Sequence, residues 1–189
     1  MSALHSKSRL RFVEIVASLG IPAAAARALA LLALTMAVAQ AAPTTVGPIV
    51  ITVPKGFVAA QTQKSHKTLI TAWTKSVKDG SSKTFLQITV LEQAKPEEAE
   101  KYLRHELVTL ERRRGNYTHS PVAHIQLAGA PAVRATWNGN IGGYPVMGVL
   151  YSVIVKDRFV VKILAQDLGT TPTDGLFEAM QAIESMVMS

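Results

Sequence analysis

Between Val122 and Gln166 apolar residues recur at every second position. Ala123, Ile125 and Leu127, then Val133, Ala135 and Trp137, then Met147, Val149, Tyr151, Val153 and Val155, then Phe159, Val161 and Ile163 all carry odd numbers. Period two is the spacing of strands that lay one face on a core, so the shared parity predicts four strands burying a common face. On the last two runs the even positions Val146, Leu150, Ile154, Val160 and Leu164 are apolar as well. Those two strands are therefore expected at the centre of a sheet, covered on both sides. The earlier two carry His124, Gln126, Arg134 and Thr136 at even positions, which predicts partial exposure nearer an edge.

Upstream, Pro48 to Val53 (PIVITV) reads as a short β-branched strand, and Pro54-Lys55-Gly56-Phe57 as a tight turn. Val58 to Lys67 is polar and is expected to be mainly loop. Thr68 to Val77 and Lys83 to Glu92, joined by turn residues 78 to 82, predict a hairpin. Pro96 to Arg114 has the marks of a helix. Proline opens it, Glu97, Glu98 and Glu100 occupy its positive end, Arg112, Arg113 and Arg114 its negative end, and Gly115-Asn116 stops it. Its apolar stripe is Ala99, Leu103, Leu107 and Leu110. A second helix is expected over Asp174 to Val187, with Leu176, Met180, Ile183 and Val187 inward. The order of strand, hairpin, helix, four strands and helix predicts an α+β domain. Its sheet is mostly antiparallel and flanked by helices, as a three-layer α-β-α sandwich.

Residues 1–41 stand apart from this pattern. Lys7, Arg9 and Arg11 make a basic start, Ala28 to Val38 an apolar core, and Ala39-Gln40-Ala41 a small-residue cleavage site. This is the make-up of a signal peptide, predicting cleavage after Ala41 and a periplasmic or secreted domain over 42–189. Arg27 interrupts the apolar run, which falls short of the 20 or so residues that span a bilayer. No transmembrane segment is expected in the mature chain. The formal charge of +7 includes +3 from the leading segment, leaving +4 on the domain. So mild an excess, together with export, argues against nucleic acid as a partner. The dense Arg112-Arg113-Arg114 run is expected to be favourable charge at a helix C-terminus. The chain has no cysteine, so disulfides, a thiol nucleophile and a zinc-thiolate site are all excluded.

The proline-glycine turn after an opening strand, the hairpin and helix that follow, Leu127-Ala128-Gly129-Ala130-Pro131-Ala132 at a strand-to-strand corner, and a final helix together resemble the PsbP-like superfamily. The resemblance implies an α-β-α sandwich and a non-enzymatic accessory or binding role. Exported bacterial members are often lipoproteins, and this chain departs from them in lacking a lipid-bearing cysteine. It also lacks the metal-ligand cluster proposed in some plant members.

Catalytic motifs do not assemble in the linear sequence. After His105-Glu106 the position that a metalloprotease helix would fill with histidine is Thr109. His119 and His124 have opposite strand parity and flank a proline. Gly139, Gly142 and Gly143 precede no helix that could aim amides at a phosphate; Asn138-Gly139 instead predicts a hairpin turn. No catalytic residue, metal ligand or cofactor site is assigned. The candidate binding surface is His124, Arg134 and Thr136 on the less apolar sheet face, with Trp137, Asn138 and Tyr144 around the expected loop 138–145. Aromatics beside a positive charge suit an envelope protein or a small amphipathic or anionic ligand. The leading expectation is an exported, non-catalytic binding or accessory protein of the bacterial cell envelope. The alternative is a periplasmic hydrolase or lipid-handling protein whose site is assembled from residues distant in sequence.

Overall fold

The computed structural model describes residues 41–76, 82–92 and 99–189. The expected export segment, the turn after Val77 and the opening turn of the first helix lie outside them. Among the described residues, eleven strands and two helices run in the order β1 (Ala42–Val46), β2 (Ile49–Val53), β3 (Phe57–Ser65), β4 (Thr68–Ser76), β5 (Ser82–Glu92), α1 (Ala99–Arg113), β6 (Gly115–His119), β7 (Ala123–Leu127), β8 (Ala130–Ile141), β9 (Tyr144–Val155), β10 (Phe159–Leu168), α2 (Asp174–Glu184) and β11 (Val187–Met188). The main sheet is antiparallel throughout, in the order β3-β4-β5-β10-β9-β8-β6, with β7 also paired to β8. Strands β9 and β10 are central, as their two apolar faces require.

Two buried clusters lie on opposite faces of this sheet. One joins Val149, Tyr151, Val153, Val161, Ile163 and Leu86 to Leu176, Ala179 and Ile183 of α2 and to the small sheet β1-β2-β11. The other joins Leu150, Leu164, Val133, Ala135 and Trp137 to Leu103, Leu107 and Leu110 of α1.

The expectation that the four odd-numbered runs bury one face is corrected here. Hairpin loop length sets the correspondence. Two residues separate Leu127 from its partner Ala130, and two separate Ile141 from Tyr144, so partners across those hairpins have opposite parity. Three separate Val155 from Phe159, and parity is kept. Odd positions of β7, β9 and β10 therefore face α2, whereas Val133, Ala135 and Trp137 on β8 face α1. Both two-residue turns have positive φ at each residue, Ala128 (51°) with Gly129 (81°) and Gly142 (56°) with Gly143 (83°), matching the twist of the flanking strands.

Several other expectations shift. Residues 57–65 form edge strand β3, bulged between Ala59 and Gln61. The expected strand Pro48–Val53 is β2, which leaves the main sheet to pair with β1 and β11. Helix α2 ends at Glu184, so Val187 sits 61% exposed on β11 and not on an inner helical face. Asn138-Gly139 lies within β8 and not at a turn. A Cβ at Gly139 would stand 3.0 Å from that of Arg114, so this glycine makes room for a side chain arriving from the end of α1.

Trp137 holds the α1 side together. Its cross-strand partner is Gly148, and the indole lies on the bare backbone there. A Cβ at Gly148 would meet Trp137 Cζ2 at 2.8 Å and the Ala165 carbonyl oxygen at 2.5 Å. On the other face, the carboxylate of Asp167, fully buried, ties α2 to the sheet. It accepts from Thr84 Oγ1 (2.6 Å), Thr173 N (2.7 Å) and Thr173 Oγ1 (2.5 Å). Thr173 is the N-cap of α2, where negative charge is favoured by the helix dipole.

Two stability predictions follow from these contacts. Gly148→Ala is expected to lower stability by about 2 to 3 kcal/mol through overpacking, measured by urea denaturation; an unchanged midpoint would contradict the close approach of Trp137. Asp167→Ala is expected to remove about 3 kcal/mol, because it leaves buried threonine donors unpaired. Asp167→Asn should cost less in the same assay, since an amide oxygen can still accept from Thr173.

Candidate binding surface

Even-numbered side chains of β8 project toward the α2 side of the sheet. They place Arg134, Thr136 and Asn138 in one row, with Thr136 and Asn138 exposed and Arg134 half-buried. The strand under this row is fixed: Ser120 N donates to the Thr136 carbonyl at 2.9 Å, and Thr136 N donates to Ser120 Oγ at 3.1 Å. Beside Arg134 on β9 is Tyr151, fully buried. Burial pushes its phenol up, and neighbouring Arg134 offsets part of that shift. The Tyr151 Oη nevertheless has no hydrogen bond of normal geometry, so the contact with Arg134 is electrostatic proximity.

The other three residues of the sequence-derived surface are elsewhere. His124 lies across from Val133 and so faces the α1 side. Its side chain is 76% exposed, with Nε2 at 3.5 Å from Glu100 Oε2 on α1. Glu100 is also held by Arg104 Nε at 2.8 Å. Tyr144 is 47% exposed and opens β9 beside the two-glycine turn. Trp137 is 1% exposed and belongs to the core. The expected loop 138–145 is instead the end of β8, a two-residue turn and the start of β9.

Sequence reasoning missed Arg114. The expected helix-end charge holds for Arg112 and Arg113 only: α1 ends at Arg113, and Arg114 turns inward, 6% exposed. Its guanidinium carbon lies 5.4 Å from the centre of the Trp137 ring, and Nη2 donates to Gln166 Oε1 at 3.4 Å. Nε and Nη1 have no partner. Burial, then the charge of Arg113, lowers its pKa to about 10. Tyr117 stacks on the same indole at 6.3 Å and 27°, its phenol pushed up to about 12 by burial and then by Glu111. No local signal marked Arg114, because its turn inward depends on the space left at Gly139 on another strand.

Between α1 and the sheet, Lys162 Nζ donates to Glu106 Oε2 at 2.7 Å. The cavity beside this pair, lined by Gln87, Thr89, Leu150 and Leu164, measures about 10 Å3, room for one water. Among the described residues, no three or more histidines, aspartates or glutamates gather where they could hold a metal ion, and no helix is long and apolar enough to cross a membrane.

No family model matches the chain, and no curated protein matches it in sequence. Solved structures do resemble it. The cyanobacterial PsbP (CyanoP) of Synechocystis has a TM-score of 0.56 at 7% identity, covering 84% of this chain and 99% of its own. The Ran-binding protein Mog1p of Saccharomyces cerevisiae has a TM-score of 0.52 at 14% identity, covering 79% and 96%. LpqN of Mycobacterium tuberculosis, described as involved in cell envelope biogenesis, has a TM-score of 0.49 at 15% identity, covering 80% and 86%. With a mostly antiparallel sheet and two helices among the described residues, and a likeness to CyanoP and Mog1p that spans nearly the whole of those two chains, the chain has the PsbP-like fold.

Proposed function

We propose that this chain is a non-catalytic binding or accessory protein, exported to the bacterial periplasm after cleavage near Ala41, which engages a protein partner through the β8 row. The observation that carries this reading is the row itself. Arg134, Thr136 and Asn138 stand side by side on one face of a 12-residue strand whose backbone is fully paired at that point. A charged group and two polar groups on a rigid strand suit directed hydrogen bonding to a partner surface. That Mog1p, with the same fold, is a Ran-binding protein supports protein partnering as a use to which this framework lends itself. In layer terms the molecule is a three-layer α-β-α sandwich. Its α2 layer is widened by the β1-β2-β11 sheet, which leaves the β8 end of that face for contact.

The partner is sought by site-specific crosslinking in the envelope of the producing bacterium. A photo-reactive phenylalanine analogue at position 136 is expected to trap one discrete adduct, and the same analogue at Val108, exposed on α1, none. In a Thr136→Ala/Asn138→Ala variant crosslinked from position 140, the adduct should fall at least tenfold while the melting midpoint stays within a few degrees, because exposed substitutions cost little stability. Equal trapping from both faces would overturn the assignment of the surface. Substrate turnover that disappears on His124→Ala or His105→Ala would overturn the non-catalytic reading. Export is checked by sequencing the periplasmic product, which should begin at Ala42.

A further inference from the structure

Buried polar groups in this protein are treated in two ways. Asp167 has three donors on its carboxylate. The cluster at the end of α1 is the opposite case. Arg114 Nε and Nη1, Trp137 Nε1 and Tyr117 Oη are all buried and all without a partner. Arginine and the indole nitrogen can only donate, so three of these four atoms can be satisfied by an acceptor alone. The Gln166 carbonyl oxygen, at 3.4 Å from Nη2, supplies one long contact. The Trp137 face offers a π cloud, which weakly accommodates the cation. Neither meets the need of Nε and Nη1, and a guanidinium removed from water without a counter-charge is costly.

Among the described residues no carboxylate bonds to Arg114. Arg113 is adjacent and repels, while the acidic residues acting on the cluster, Glu106 and Glu111, do so through space without bonding to Arg114. The edge over the cluster is irregular. β6 pairs with β8 through Gly115, Thr118 and His119, with a register shift between the first two, and Asn116 stands at φ 49° in that interval. Tyr117 on this strand is only part-buried, and its neighbours on either side are exposed. A short bulged edge strand opens more readily than a central one, and its opening would bring Arg114 to solvent.

We infer that Arg114, Trp137 and Tyr117 form a binding site for an oxyanion, a carboxylate or a phosphate, entered past edge strand β6. Arg114 supplies charge and unpaired donors at Nε and Nη1, and donation from a guanidinium to an anionic oxygen is among the stronger hydrogen bonds. Trp137 Nε1 and Tyr117 Oη add neutral donors. The site lies on the α1 face of the sheet and is independent of the β8 row, whose side chains point to the other face.

The test uses the 15N-labelled protein titrated with sodium phosphate and, separately, with sodium acetate, against sodium chloride at matched ionic strength. The side-chain Nε–H signal of Arg114 and the Nε1–H signal of Trp137 are expected to move saturably with one or both oxyanions and not with chloride. Movement with phosphate alone assigns a phosphate-type ligand, with acetate alone a carboxylate, and with both a site that accepts either. Arg114→Met, which keeps the stem and removes the charge, should abolish the response at Trp137. Tyr117→Phe leaves the core intact and gives a second reading should the first variant not fold; it should weaken binding about fivefold, the effect of one neutral hydrogen bond. Signals that stay in place in the wild-type protein at millimolar oxyanion, or that move equally with chloride or in Arg114→Met, would overturn the inference.

Discussion

Strands β9 and β10 are apolar on both faces, and this requires two separate covering layers. Tyr151, Val153, Val161 and Ile163 need an apolar partner on one side, and Leu150 and Leu164 need one on the other. Helix α1 supplies three leucines to the second face. On the first, α2 works together with the β1-β2-β11 sheet, because an 11-residue helix is too narrow to cover strands this long. The small sheet brings together residues from both ends of the described chain, β1 and β2 with β11.

The same two layers divide the polar chemistry. On the α2 side, Asp167 sits at the N-cap of the helix with each oxygen engaged, a fixed strut. Nearer the β8 edge of that face, cover thins out and Arg134, Thr136 and Asn138 reach solvent or half-burial. On the α1 side, the helix ends one residue before an arginine whose stem passes Gly139 and whose guanidinium meets the indole of Trp137. That indole can lie flat only because Gly148 carries no side chain. Two glycines on neighbouring strands thus create the space in which a charged group is buried with no carboxylate bonded to it among the described residues.

Much of the fold was legible along the chain because it depends on short-range signals. The central position of β9 and β10 follows from their doubly apolar alternation, and α1 from its leucine spacing and end charges. Strands β1, β6 and β11 were not legible. They are short edge or accessory strands of polar or small residues, and their ladders depend on partners far away in sequence. The placement of the candidate residues was half legible. Arg134, Thr136 and Asn138 share a face because they are two apart on one strand. Trp137 lies on the opposite face by alternation along the same strand, and His124 joins it because the two-residue β7–β8 hairpin exchanges parity between partners.

The sequence by itself determined which segments form central strands and the first helix, since alternation and helical spacing are properties of neighbouring residues. It also excluded thiol chemistry, because a residue type that is absent cannot be supplied by folding. Only the tertiary structure decided which side of the sheet each strand's apolar set faces, since that depends on the register between strands and on the number of residues left in each turn. It alone decided that Arg114, the last of three consecutive arginines, leaves solvent for the ring of Trp137, 23 positions further along the chain. That choice rests on space opened by two glycines on other strands, which no local pattern encodes.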